Sequence, residues 1–228
     1  ASPDLYDILD RASHFFRDQL KQSPAAIEYL KGRGLTGKIA ARFGIGYAPS
    51  GWRNLESVFS DYTASVLRET GLVIETEGGK RYDRFRDRVM FPIRNVQGAV
   101  IGFGGRVLDK GEPKYLNSPE TPVFHKGKEL YGLYENRTGL RRRGHALVVE
   151  GYMDVVALAQ AGIEYAVATL GTATSAVHVQ KLFRQTDEVV FCFDGDRAGR
   201  KAAWHALEVC LPVLADNKTV RFLFLPAE

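Results

Sequence analysis

Two aspartates separated by one glycine, Asp194-Gly195-Asp196, follow directly on an apolar run from Glu188 to Phe193 and precede a helix-forming stretch. Strand side chains alternate faces, so residues i and i+2 lean the same way if extended geometry persists through the glycine. The two carboxylates then converge at the strand's C-terminal end, and Gly195, with no Cβ, permits a sharp turn and close approach of a ligand. Hard oxygen donors there suit a Mg²⁺ that also takes phosphate oxygens. A local reading competes: Asp194 ends the strand and Asp196 caps the next helix. The tripeptide alone leaves both open.

The elements around it add a third carboxylate. After Gly144 the pattern predicts strand 145–150, helix 152–161, strand 165–170, helix 175–185, strand 188–193, helix 196–214 and strand 219–225. Apolar strands alternating with helices imply a parallel, Rossmann-like sheet covered on both faces, with ligands outside the strands' carboxyl ends. Glu150-Gly151 ends the first of these strands and Gly171-Thr172 follows the second. Glu150, Asp194 and Asp196 thus share one sheet edge, where like charges repel without a cation. One or two divalent metals would relieve this and could clamp a phosphoryl displacement. Asp154, in the first turn after Glu150, reads as a helix acid favoured by the dipole.

The first half follows a different rhythm. Apolar residues at helical spacing predict a helix over 4–20; Pro24 with Gly32 and Gly34 brackets a second, and 36–43 reads as a third. Residues 52–71 suggest two more short helices. A hairpin turning at Gly78-Gly79, then strands 88–94 and 99–108, complete an α+β unit with a mostly antiparallel sheet. Arg84, Arg86 and Arg88 alternate along a strand-like segment, so one face could offer a row of guanidinium groups to phosphates. A solvated face partly neutralised by Asp83 and Asp87 is the competing reading. Gly102–Gly105 is flanked by strand residues with no helix after it, which rejects a dinucleotide fingerprint. Residues 109–130 form a polar, irregular loop. Arg141-Arg142-Arg143-Gly144 reads as a solvated basic linker, dividing the chain into 1–143 and 144–228.

Charge separates the same halves. Residues 1–143 carry 24 Lys+Arg against 17 Asp+Glu, and residues 144–228 carry 7 against 10. A basic part that grips a polyanion, joined to an acidic part that collects cations, is the implied division. No apolar run approaches the roughly 20 residues of a membrane span and no signal-peptide pattern opens the chain, so a cytoplasmic protein with no membrane contact is expected. The opening Ala-Ser-Pro lacks an initiator Met and reads as a piece of something longer. Cys192 and Cys210, both in apolar surroundings, read as reduced buried thiols, with no zinc site expected.

Several motifs in order resemble one family. Val148-Val149-Glu150-Gly151-Tyr152-Met153-Asp154 followed by Phe193-Asp194-Gly195-Asp196 is similar to the Toprim module shared by bacterial primases and topoisomerases. Arg81 to Ile93 (RYDRFRDRVMFPI), Gly102 to Arg106, Pro113 to Thr121 and Phe124 to Gly127 resemble bacterial replicative DNA primase. The resemblance covers nearly the whole chain. It implies the RNA-polymerase core of a primase, an N-terminal α+β subdomain followed by a Toprim subdomain, making RNA primers on single-stranded DNA from ribonucleoside triphosphates. Glu150, Asp194 and Asp196 would hold Mg²⁺ or Mn²⁺, with Glu150 alternatively helping to deprotonate the 3′-hydroxyl. Arg84, Arg86 and Arg88 would meet phosphates; Lys114, Asn117, Ser118 and Lys126 would meet a nucleotide or the template backbone, and Arg33 the template.

The resemblance also implies a further acidic motif after the last strand, a zinc-binding module upstream and a helicase-binding region downstream, none of which these residues contain. Weak or absent primer synthesis from these 228 residues alone is the expectation. A topoisomerase or nuclease Toprim domain, and a non-catalytic nucleic-acid-binding Toprim scaffold, are the competing functions. The first leaves the basic half unexplained; the second expects the metal carboxylates to be dispensable.

Overall fold

Capping residues fix where the first helices begin. Asp4, Ser23 and Thr36 each accept a backbone N–H, from Tyr6, Ala26 and Ile39, at the starts of α1 (Leu5–Lys21), α2 (Pro24–Gly32) and α3 (Gly37–Phe43). These belong to a computed structural model that describes residues 4–226. The chain forms two compact units that divide between His125 and Lys126.

In the first unit, β1 (Gly46–Ala48), β4 (Arg88–Arg94), β5 (Val100–Val107) and β6 (Tyr115–Asn117) make an antiparallel sheet in the order β1-β4-β5-β6. A hairpin, β2 (Val73–Glu75) with β3 (Arg81–Asp83), stands beside it, and α4 (Ser65–Glu69) precedes the hairpin. Helix α1 buries Ile8, Leu9, Ala12 and Phe16, and the Phe16 ring meets Phe103 of β5 edge-on at 5.3 Å. The helix crosses β1 so closely that a Cβ on Gly46 would sit 2.6 Å from the Phe16 backbone. Only one of the two short helices expected over 52–71 is α-helical. The other, Asn54–Ser57, is a 3₁₀ turn.

Asp83 ties that turn to the hairpin. Its buried carboxylate accepts from Tyr62 Oη at 2.7 Å and from Leu55 N–H at 3.1 Å, while its own N–H donates to the Trp52 carbonyl at 2.7 Å. Burial raises the carboxyl's proton affinity and these donors pull it back down.

The second unit contains α5 (Leu133–Arg143), β7 (His145–Val149), α6 (Tyr152–Gln160), β8 (Ala166–Ala168), α7 (Ala176–Phe183), β9 (Glu188–Asp194), α8 (Arg197–Cys210) and β10 (Thr219–Leu225). All strand pairs are parallel, in the order β10-β9-β7-β8. Helices α5 and α6 pack against β8, and α7 and α8 against β9.

Three expectations change. Arg141–Arg143 are the last turn of α5, where cations suit the dipole, and Gly144 ends that helix in the left-handed region (φ 81°). They are not a linker. Residues 115–117 of the irregular loop form an edge strand on β5. The parallel sheet is covered unevenly: Leu223 and Leu225 remain 47% and 45% exposed, because no described element packs over that face of β10.

Candidate active site and nucleic-acid interface

Strands β7 and β9 are hydrogen-bonded neighbours, so the residues at their carboxyl ends are brought together by register. Glu150 follows β7 and Asp194 ends β9; both are exposed. The negative charges of Asp194, Asp154 and Asp196, after the effect of burial, raise the proton affinity of Glu150. Burial and the charge of Asp194 do the same to Asp154, whose Oδ2 also accepts from Gly151 N–H at 3.1 Å. The Cys192 thiol is pushed up by burial and by Asp194, Glu150 and Asp154. Four carboxylates therefore sense one another across this edge.

Asp196 does what the local reading says: its Oδ1 accepts from Gly199 N–H at 2.7 Å and caps α8. The cap uses one of its two oxygens. The tight turn sits at Gly199 rather than at Gly195, since a Cβ on Gly199 would lie 1.9 Å from the Asp194 carbonyl oxygen. Among the described residues no group of three His, Cys, Asp or Glu side chains forms a closed ligand set.

In the first unit the three arginines do not form a row. Residues 84–87 bend away from strand geometry, and Asp87 takes a positive φ of 50° with its carboxylate accepting from Tyr47 Oη at 2.6 Å. The side chains diverge. Arg84 gives Nε and Nη2 to the Asn117 carbonyl at 3.1 and 2.8 Å, and burial, with the nearby charge of Arg88, lowers its pKa. Arg88 is buried, with Nη1 3.4 Å from the Lys114 carbonyl. Arg86 alone faces outward, its guanidinium over Trp52 at 3.9 Å and Tyr82 at 5.0 Å.

The loop candidates separate likewise. Ser118 is fully buried: its Oγ accepts from Phe103 N–H at 2.9 Å, so its hydroxyl is committed to the sheet and unavailable to a nucleotide. Asn117 uses its carbonyl on Arg84, and its Oδ1 is buried without a hydrogen-bond partner. Lys114 is exposed, with its ammonium 5.9 Å from the Tyr115 ring. Lys126 lies in the second unit, where its carbonyl pairs with His178 Nε2 at 2.9 Å.

Arg33 joins a cluster that sequence reasoning missed. Its guanidinium lies over Tyr29 at 5.4 Å, Arg106 covers the same ring at 5.2 Å and donates to its hydroxyl, and Arg106 Nε donates to Tyr115 Oη at 3.0 Å. A second cluster gathers Trp52, Tyr82, Lys80 and Arg86. Basic residues interleaved with aromatics, as in Lys80-Arg81-Tyr82 and Lys114-Tyr115, were the available signal.

Comparison with known proteins follows the same division. The family model "DNA primase catalytic core, N-terminal domain" matches residues 15–137, and that of the Toprim domain matches residues 145–225. The chain is 62% identical over 214 residues to a DNA primase of Neisseria meningitidis, covering 94% of this chain and 36% of that protein. It is 54% identical over 226 residues to the DNA primase of Escherichia coli, covering 97% and 39%. The chain thus spans little more than a third of the length of these relatives. A solved DnaG primase catalytic domain bound to ssDNA superposes with a TM-score of 0.92 at 54% identity, over 98% of this chain and 73% of that one. A primase domain from Pseudomonas aeruginosa gives 0.92 at 60% identity, over 98% and 72%.

Proposed function

The chain belongs to the DNA primase catalytic-core family, and from that premise we propose that it carries the nucleotidyl-transfer centre of an enzyme that builds RNA primers on single-stranded DNA. One observation carries the chemistry: Glu150 and Asp194 close two neighbouring parallel strands, and each charge there raises the cost of the next. A carboxylate edge with no closed ligand set suits a Mg²⁺ or Mn²⁺ that keeps water and takes phosphate oxygens. Glu150, Asp194 and the uncapped oxygen of Asp196 would hold it. Bound there, such an ion supplies charge neutralisation to the transferred phosphoryl group.

The chain's own residues do the rest. Arg86, Arg33 and Lys114 present cations toward solvent beside aromatic rings, which fits a single strand held by phosphate contacts and base stacking. Arg84 and Arg88 act one step back, fixing the edge strand that carries Lys114 and Asn117. Ribonucleoside triphosphates as substrate and a replicative helicase as partner belong to the same reading. So does action in the cytoplasm; no helix among the described residues is long and apolar enough to cross a membrane.

The test is primer synthesis by the full-length protein on single-stranded DNA. Asp194→Asn and Asp196→Asn remove charge, and Asn at 196 retains a helix cap. Losses of roughly 100-fold or more are expected for each, comparable to removing a transition-state charge stabiliser. Synthesis at the unaltered rate by the double variant would reject the metal assignment, and binding without any incorporation would favour a scaffold.

A further inference from the structure

Beside Glu150 lies a cavity of about 490 Å³ that none of the roles above uses. One wall is a face of α8. Ala198, Lys201, Ala202 and His205 follow the i, i+3, i+4, i+7 spacing of a helix stripe, while Gly199, Ala203 and Ala206 point into the core. The opposite wall is the loop after β8, which supplies Thr172 and Thr174. Among the described residues neither Lys201 nor His205 has a hydrogen-bond or ion-pair partner.

These features specify the ligand's chemistry. Glu150 at one end repels an anion, so any anion taken here arrives with a cation or meets one. Lys201 is that fixed cation, and His205 and the two threonine hydroxyls add donors. The two alanines leave room for ligand atoms against the helix. The volume lies at the lower end of the range for small-molecule sites, enough for a phosphate chain with part of a nucleoside.

We infer that this cavity holds the β- and γ-phosphates of the incoming nucleotide, and then the pyrophosphate, with Lys201 and His205 as the binding residues. The inference rests on the nucleotidyl-transfer reading and names the substrate's seat within it. The step balances without an added reagent: the 3′-hydroxyl oxygen bonds to the α-phosphorus, its proton leaves to a base, and the bond from that phosphorus to the bridging oxygen of pyrophosphate breaks. The departing oxygens gain negative charge at that moment. Donors already aimed at them from α8 stabilise that charge with little reorganisation.

The experiment compares Lys201→Ala, Lys201→Arg and His205→Ala in full-length protein, reading kcat, the KM for nucleotide, the inhibition constant of inorganic tripolyphosphate and the affinity for single-stranded DNA. Both residues are exposed, so melting temperatures should stay near that of the unaltered protein. Lys201→Ala is expected to raise the nucleotide KM and the tripolyphosphate inhibition constant together by about tenfold, the loss of one charge-assisted hydrogen bond. His205→Ala should raise both by about threefold, Lys201→Arg should restore most of the loss, and DNA affinity should not move. Unchanged KM and inhibition constants in both alanine variants, with Asp194→Asn inactive, overturn this inference alone. An active Asp194→Asn overturns the reading beneath it. A fall in kcat with both constants unmoved also counts against the phosphate seat.

Discussion

The guanidinium carbon of Arg86 lies 3.9 Å from the centre of the Trp52 ring, and Trp52 keeps 57% of its surface exposed. Asp83 holds both partners, accepting from Arg86 Nη1 through its carbonyl at 3.2 Å and donating to the Trp52 carbonyl. An exposed Trp fixed this way stabilises little by itself, because an exposed cation–π pair contributes only about 0.5–1 kcal/mol. As a stacking platform for a nucleotide base it is worth about 1–3 kcal/mol. Trp52→Ala is therefore expected to weaken binding to single-stranded DNA by about tenfold, read by fluorescence anisotropy, with a small change in melting temperature. Equal affinities for the two proteins reject the platform.

Gly199 is fixed by contact rather than by dihedral angle. Its Cα faces the Asp194 carbonyl so closely that a methyl group would overlap it. Gly199→Ala must push α8 away from β9 and swing Asp194 with it. Overpacking of this kind costs about 1–3 kcal/mol. Denaturant unfolding should show that loss, and synthesis should fall further than stability explains; a variant with wild-type stability would show that the turn is not this tight.

Ser118 and Lys114 sit four residues apart and should behave oppositely. Ser118→Ala leaves the buried Phe103 N–H without its side-chain acceptor, a loss of about 1–3 kcal/mol in stability. Its DNA affinity should hold. Lys114→Ala should leave stability alone and flatten the dependence of log affinity on log salt by about 0.7, the contribution of one phosphate contact on a single strand. A steeper or unchanged slope removes Lys114 from the interface.

How far the sequence was legible depended on the range of the forces involved. Helices α1 to α3 could be placed from caps and apolar spacing, and the alternation of strands and helices gave the parallel sheet, because both signals are local. Glu150 and Asp194 could be paired from topology alone. The arginine row failed for a non-local reason: the Asn117 and Lys114 carbonyls, about thirty residues further on, draw in Arg84 and Arg88, and Asp87 bends the chain between them. Helix α5 escaped notice because its buried contacts are made through Asn136 and Gly139 as much as through leucines. Asn136 Nδ2 reaches the Ala166 carbonyl at 2.8 Å, and Gly139 lies against the Glu164 carbonyl. No apolar stripe announces such a helix.

His178 gives the second unit a pH dependence of known sign. It is fully buried, Nδ1 accepts from Ser175 N–H at 3.0 Å, and Nε2 pairs with the Lys126 carbonyl at 2.9 Å. One nitrogen accepts and the other donates, so the ring is neutral with its proton on Nε2. Burial and the positive charge of Lys181 hold its pKa below the usual 6.5, with the carbonyls of Lys126 and Glu129 opposing them. Below about pH 6.5 the unfolded chain takes up a proton that the folded chain refuses, so stability falls as pH drops through that value. The folding free energy should decline between pH 7 and pH 5, and His178→Ala should be less stable at pH 7 yet lose part of that decline. Parallel pH profiles for the two proteins would place the titration elsewhere.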